Sequence, residues 1–180
     1  MATLLPFGEV RAGDLEWATP SGLKRSFVLH QGDHAFATLE WRSGLGTLAV
    51  ATTAGGSWTF KRVGFWSPRV TVRRAGATED EGLFRPTGWC GSSGELRLAN
   101  EPPLFFEREG FWSATWRFRD GAGATLVRIG DISGVFRWRA SLSLADPGDP
   151  RAPLLSCLLW YLAVLTYDDE AATAAVVAAG

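Results

Sequence analysis

The sequence is poor in residues that mark several common protein classes. Two cysteines, Cys90 and Cys157, lie far apart in a chain of 180 residues, and this spacing gives neither a disulfide framework nor a zinc motif. Cys157 lies within an apolar run, so we expect it to be a small buried side chain. The only imidazoles are those of His30 and His34. Few groups are therefore available for acid–base or metal chemistry.

A charge excess of one sign is also lacking. The 18 lysines and arginines nearly balance the 19 acids, for a formal net charge of −1, and lysine is rare. A general nucleic-acid-binding protein normally has a clear basic excess, so the composition argues against nucleic acid as a partner. The segment Met1–Val10 has no basic stretch followed by an apolar one and a cleavage site. We therefore expect no secretory signal, and a cytoplasmic protein.

Hydrophobic and aromatic residues, by contrast, are abundant. They make up 46% and 12% of the chain, and there are nine tryptophans. This composition is typical of a globular protein, and the length suits one domain with a substantial core.

Most of the chain before residue 150 alternates between apolar and polar residues. In Ser113–Arg119, for example, Trp116 and Phe118 alternate with Arg117 and Arg119. This alternation predicts antiparallel strands with one buried face. The clearest such segments are His34–Arg42, Ser57–Arg62, Pro68–Arg74, Glu95–Leu98, Ser113–Arg119 and Gly134–Leu144. Turn-forming residues separate them at Gly32-Asp33, Ser43-Gly44, Gly55-Gly56, Ser92-Ser93-Gly94, Asp120-Gly121 and Asp131–Gly134.

Two short segments resemble each other. Gly64-Phe65-Trp66-Ser67 is nearly repeated as Gly110-Phe111-Trp112-Ser113. Their neighbouring segments occur in the reverse order, so we interpret the similarity as shared strand chemistry rather than as a duplication.

The C-terminal part predicts one helix, from about Pro150 to Tyr167. Asp149 is a suitable N-cap, and Pro150 fits the first helical position. Ala152–Thr166 has no charged residue, so this helix must be buried in protein or in lipid. At 1.5 Å per residue the run covers about 22 Å, short of the roughly 30 Å of a bilayer core.

Three consecutive acids decide between protein and lipid. Asp168, Asp169 and Glu170 follow the apolar run directly, and acids within a membrane would be very costly. We therefore predict no transmembrane span, and a mainly β fold: a closed antiparallel β-barrel of about twelve strands around one buried apolar C-terminal helix. The predicted domain covers residues 1–167, including the helix 150–167, and an alanine-rich tail covers residues 168–180.

This pattern resembles the tubby C-terminal-like superfamily, which includes tubby proteins, LURP-one-related proteins and phospholipid scramblases. The resemblance rests on the strand series from about Phe27 to Leu144 and on the apolar helix Leu154–Leu162. It implies a twelve-stranded barrel threaded by a C-terminal helix. For tubby proteins it implies phosphoinositide binding through basic residues, and for scramblases a connection with membrane, Ca²⁺ and lipid. No motif maps those ligand residues onto this chain.

Few residues suggest catalysis or metal binding. Cys90 with a histidine is a conceivable nucleophile–base pair, but unrelated side chains are the simpler interpretation. His30, Asp33 and His34 straddle a Gly-Asp turn, which favours ordinary hairpin chemistry over a metal site. Glu79-Asp80-Glu81 lacks the ligand spacing of a calcium loop, so we interpret it as a solvated loop. We predict no enzyme activity, no cofactor and no metal.

The remaining candidate is a set of arginines on the outward faces of the predicted strands. If these strands are neighbours, the arginines form a cationic stripe that suits phosphate headgroups. The alternative is an ordinary soluble exterior, in which acids on adjacent strands balance these charges. The candidate anion- or lipid-binding residues are Arg69, Arg73, Arg117, Arg119, Arg137 and Arg139.

Two functions remain open. The first is a non-enzymatic, soluble binding or scaffold protein of the tubby or LURP-one-related kind. The alternative is a peripheral membrane protein that binds anionic phospholipid headgroups.

Overall fold

The computed structural model of the chain describes residues 3–11, 13, 15–20, 25–44, 46–87, 91–110, 114–134 and 138–179. Twelve strands form one closed antiparallel barrel, in which each strand pairs with its neighbours in sequence and β1 pairs with β12. The strands are β1 Leu15–Ala18, β2 Ser26–Gln31, β3 His34–Trp41, β4 Ala49–Thr53, β5 Gly56–Val63, β6 Arg69–Arg74, β7 Gly82–Pro86, β8 Ser93–Leu98, β9 Leu104–Glu109, β10 Thr115–Arg119, β11 Thr125–Ser133 and β12 Arg139–Leu144.

The barrel predicted from the sequence is confirmed, including the faces of its strands. In β6, Val70 and Val72 are buried, whereas Arg69 and Arg73 are exposed. In β10, Trp116 is buried and fully inaccessible. The twelve described strands close the sheet, so each of them pairs on both sides. The apolar faces of the strands point into the barrel, and they are buried only if other side chains occupy its interior.

The α-helix α1 (Ala152–Ala179) runs through the interior of the barrel, and a short 3-10 helix lies at Phe7–Glu9. The residues of α1 from Ala152 to Leu165 are buried except Pro153, which is partly exposed. Trp160 of the helix stacks on Trp17 of β1 with ring centroids 6.0 Å apart and planes 7° apart. Tyr161 stacks on Trp41 of β3 and donates a hydrogen bond of 2.6 Å from its hydroxyl to the Thr47 carbonyl. These contacts fix both the rotation and the depth of the helix.

The helix begins at Ala152, two residues after the predicted start at Pro150, and its predicted end is wrong. Asp149 Oδ1 accepts a hydrogen bond of 2.8 Å from the Arg151 backbone N–H, as an N-cap carboxylate does. The helix ends at Ala179 instead of near Tyr167. The alanine-rich segment has high helix propensity, and the Thr173 hydroxyl donates to the Asp169 carbonyl within it.

Two sequence assignments near β11 and β12 differ from the structure. The predicted turn Asp131–Gly134 lies largely within β11, where the register against β12 shifts between Gly130 and Ser133 and Asp131 has a φ of 50°. An irregularity of this kind bends a strand without ending it. The predicted strand Gly134–Leu144 begins at Arg139. Residues 135–137 lie outside the described part of the chain.

No helix in the described residues has both the length and the apolar character needed to cross a membrane.

Candidate binding cavity

The two ends of the barrel differ because the helix enters at one and leaves at the other. It follows β12 directly, so its N-terminus lies at the end formed by connections 32–33, 54–55, 75–81, 99–103, 120–124 and 145–151. We call this the helix-entry end. Within the described residues, the helix-exit end is formed by 19–20 and 25, 42–44 and 46–48, 64–68, 87 and 91–92, 110 and 114, and 134 and 138.

Three arginines hold the helix where it leaves the barrel. Arg25, just before β2, donates a hydrogen bond to Asp168. Arg62 of β5 lies 2.5 Å from Asp169. Arg108 of β9 lies 2.5 Å from Glu170. These pairs, which we call the exit clamp, join the helix to three separate parts of the barrel wall.

Aromatic rings position two of these guanidinium groups. The Arg25 guanidinium lies 4.5 Å from the centroid of the Trp41 ring. The Arg108 guanidinium lies 4.8 Å from the centroid of the Trp116 ring. Stacking on a ring leaves the edge of a planar guanidinium free for a carboxylate, which matches the observed pairs.

An apolar cavity of about 840 Å³ lies beside the exit clamp. The helix packs closest to β11, β10 and β3, which leaves space on the side of β6–β9. Its walls are Val70 of β6, Phe84 of β7, Phe106 of β9, and Leu162 and Leu165 of the helix. The remaining lining residues are Arg62, Pro68, Arg69, Pro86, Gly91, Ser92, Arg108, Gly110, Thr166, Asp169, Glu170, Thr173 and Ala174.

Glycine at position 94 sets the position of one wall of this cavity. A Cβ atom at Gly94 would lie 2.4 Å from Cζ of Phe84, so the Phe84 ring lies directly against the β8 backbone. Phe84 also packs edge-on against Phe106, with ring centroids 5.3 Å apart. The aromatic wall is therefore fixed by packing before any ligand arrives.

The charged groups at the cavity mouth fall into two sets. Arg62, Arg108, Asp169 and Glu170 are paired with one another in the exit clamp. Arg69 is exposed and has no ion pair within the described residues. An anion at the mouth would therefore meet Arg69 without displacing an existing partner.

The predicted arginines do not form one stripe within the described chain. Strand β6, with Arg69 and Arg73, is separated from β10, with Arg117 and Arg119, by three strands. Strand β12, with Arg139, is separated from β10 by β11. Arg137 lies outside the described residues.

Most of these arginines are balanced by acids, as the second interpretation predicts. Arg73 lies 2.9 Å from Asp80, and Arg139 lies 3.5 Å from Glu16. On β9 and β10, Glu107 accepts hydrogen bonds from Arg117 and is also paired with Arg119. Hydrogen bonding from Arg117, helped by the charge of Arg119, lowers the pKa of Glu107. Of the five predicted arginines that the structure describes, only Arg69 lines the cavity.

The two histidines predicted as candidate reactive residues do not line the cavity. His30 and His34 lie on β2 and β3 near the helix-entry end, where His30 is 3.7 Å from Glu16. Cys90 lies outside the described residues. Burial raises the pKa of the Cys157 thiol far above its usual range, so this thiol stays protonated and unreactive.

The acidic run at residues 79–81 makes local contacts. Asp80 pairs with Arg73, and Glu81 accepts a hydrogen bond of 3.1 Å from the Trp58 indole N–H. In the described part of the chain, no group of three or more His, Cys, Asp or Glu side chains is arranged to hold a metal ion.

Sequence reasoning missed the exit clamp and the cavity. The sequence offered one signal, the run Asp168-Asp169-Glu170, which served only as an argument against a membrane span. Acids that directly follow the buried part of a helix lie at the edge of the core, where cations on the surrounding strands can pair with them. Arg25, Arg62 and Arg108 come from three distant segments, so only the closed barrel identifies them.

Comparisons with protein-family models, curated proteins and solved structures find no match.

Proposed function

We propose that the protein is a non-enzymatic binding protein whose ligand is a single-chain amphiphile with an anionic head. One observation carries this proposal, the apolar cavity of about 840 Å³ with Arg69 at its mouth, an arginine that has no ion pair within the described residues. Small-molecule sites typically measure about 300–1,000 Å³, with apolar walls and a few polar groups that orient the ligand. The resemblance to tubby-like barrels stays a prediction that suggests lipid-like ligands.

The walls and the mouth suit the two parts of such a ligand. Val70, Phe84, Phe106, Leu162 and Leu165 offer an alkyl chain an apolar surface. Arg69 at the mouth offers a forked donor to a carboxylate or phosphate.

Two features of the described lining support binding rather than catalysis. Its acids, Asp169 and Glu170, are held by Arg62 and Arg108. The described lining residues include neither histidine nor cysteine. Binding needs neither a nucleophile nor a general base, so this lining is sufficient for it.

Fluorescence titration with dansyl-undecanoate, followed by displacement with hexadecanoate, tests the proposal. Val70→Phe narrows the cavity at its apolar wall and should weaken dansyl-undecanoate binding by about tenfold. Arg69→Gln should weaken it by about threefold, since an exposed ion pair contributes little. Arg73→Gln is the matched control, because Arg73 lies on the same strand away from the cavity. The proposal is wrong if the wild-type protein shows no saturable binding, or if Val70→Phe binds equally well.

A further inference from the structure

The connections at the two ends of the barrel differ sharply in composition. Those at the helix-entry end contain no aromatic residue but many acids, namely Asp33, Glu79, Asp80, Glu81, Glu101, Asp120, Asp146 and Asp149. The described residues of the connections at the helix-exit end contain no Asp or Glu, and they include three aromatics, Phe65, Trp66 and Trp138.

The β5–β6 connection presents two of these aromatic side chains to solvent. Phe65 is 89% exposed and Trp66 is 93% exposed. Their rings pack edge-on with centroids 5.3 Å apart. Gly64, with a φ of 85°, makes the turn that projects them, and a Cβ there would lie 2.6 Å from the Ser67 carbonyl oxygen. The predicted assignment of this segment to strand chemistry is therefore wrong, because it is a connection.

The end of α1 is a second exposed apolar element. Residues 171–178 are exposed, and the sequence has no charged residue after Glu170. Val176 and Val177 are 74% and 77% exposed. At 1.5 Å per residue, the helix after Glu170 projects about 13 Å from the exit clamp. This segment consists of alanine, valine and one threonine, and exposure of its apolar side chains to water is unfavourable.

We propose that the helix-exit end docks onto an anionic membrane surface. Phe65, Trp66, Val176 and Val177 would enter the boundary between headgroups and acyl chains, a zone in which tryptophan is enriched. Pro68 and Arg69, close to Phe65 and Trp66 in the sequence, line the cavity. Thr173 and Ala174, in the projecting end of α1, line it as well. The β5–β6 connection and the end of α1 are therefore two separate apolar projections beside the cavity mouth. A bilayer can surround each projection, whereas a flat protein surface cannot.

The charge distribution supports this orientation. Arg42, Arg69 and Arg85 are exposed near the helix-exit end and have no ion pair within the described residues. Anionic headgroups attract cations within about a Debye length and repel acids. The acidic connections lie at the opposite end of the barrel, so the field of an anionic membrane turns the helix-exit end towards it. Phe65, Trp66, Val176 and Val177 do not line the cavity, so substitutions of these four side chains test docking separately from cavity binding.

Liposome flotation of the full chain tests docking. The liposomes contain either phosphatidylcholine alone or phosphatidylcholine with phosphatidylserine. We expect flotation with the anionic liposomes, weakened at high salt. Phe65→Ser with Trp66→Ser should reduce the bound fraction about tenfold, and Val176→Ser with Val177→Ser should reduce it measurably. Ala75→Ser with Ala77→Ser, at exposed positions of the helix-entry end, is the matched control and should bind as wild type does.

Melting temperatures and sedimentation velocity complete the test. The Phe65 and Trp66 side chains contribute almost nothing to the core, so the double variant should melt with the wild-type protein. Docking is overturned if the wild-type protein floats with neither liposome, or if the aromatic double variant floats equally well. It is also overturned if these substitutions dissociate a dimer of the wild-type protein that does not float. That result would assign the surface to a second copy of the chain.

Discussion

Arg108 joins the barrel wall to the helix. Its guanidinium lies 4.8 Å from the centroid of the Trp116 ring and 2.5 Å from the Glu170 carboxylate. Its side chain is only 15% exposed, whereas that of Glu170 is 49% exposed. With Arg25 and Arg62, it holds the helix at the point where burial ends. The exit clamp therefore separates the buried part of α1 from the part that projects.

Neutralising the helix side of the exit clamp should loosen this boundary. We expect Asp168→Asn, Asp169→Asn and Glu170→Gln together to lower the free energy of unfolding by about 1–2 kcal/mol, because each pair is partly exposed and screened. Amide hydrogen exchange of residues 166–179 should accelerate. High salt should reduce the difference between variant and wild-type protein. Unchanged exchange would show that the clamp does not hold the helix.

A charge in the buried part of α1 should prevent folding. Leu158 and Trp160 are fully inaccessible, so Leu158→Asp or Trp160→Asp buries an unpaired carboxylate inside the barrel. We expect loss of the cooperative thermal transition and of the near-UV circular dichroism of the packed tryptophans. Val176→Asp is the control in the same helix, because Val176 is 74% exposed and should tolerate the charge. A folded Leu158→Asp variant would contradict the role of the helix as the core.

Enlarging one valine tests where the empty space lies. Val70 lines the cavity, so Val70→Phe should leave the melting temperature unchanged or raise it. Val127 of β11 is 1% exposed on a strand that packs closely against α1, so Val127→Phe should destabilise the protein by about 1–3 kcal/mol. Equal destabilisation by both substitutions, measured by thermal or urea denaturation, would mean that the cavity is not available.

The helix cap makes a prediction about pH. Hydrogen bonding from Arg151 lowers the pKa of the Asp149 carboxyl. The stability that this carboxylate contributes is therefore present above its unfolded pKa of about 4 and is lost as the pH falls through the lower folded value. Asp149→Ala should cost about 1 kcal/mol near neutral pH and progressively less below about pH 4.

Asp149→Asn serves as the matched control for this cap. Asparagine keeps the accepting oxygen of an N-cap but removes the charge that pairs with Arg151, so its loss should be smaller than that of alanine. Urea denaturation at several pH values measures both variants. A loss for Asp149→Ala that does not change with pH would contradict a charged cap.

The barrel was predictable because its determinants are local. Alternation such as Trp116-Arg117-Phe118-Arg119 fixes which face of each strand is buried, and the uncharged length of Ala152–Thr166 fixes what fills the interior. The end of α1 was not predicted, because its continuation depends on alanine propensity and on the exit clamp. The assignment of Gly64–Ser67 to strand chemistry was wrong, because apolar aromatics mark a strand only when something covers them.

The candidate site was largely unpredictable because it depends on which strands are neighbours and on where the helix lies within the barrel. Outward arginines such as Arg117 and Arg119 were visible in the sequence, but their pairing with Glu107 depends on the register of β9 against β10. The cavity arises because α1 lies closer to β10 and β11 than to β6–β9. No local pattern encodes that displacement, and Arg69 was selected without knowledge of the cavity it borders.

Methyl NMR of the protein titrated with dodecanoate tests the central claim, amphiphile binding in the cavity, most directly. We predict saturable chemical-shift changes of the Val70, Leu162 and Leu165 methyl groups, and none for Val127 or Leu29, which do not line the cavity. Contacts between dodecanoate methylene protons and these three side chains should appear in nuclear Overhauser spectra. No saturable change at Val70, Leu162 and Leu165, or changes confined to the exposed Val176 and Val177, would contradict the account.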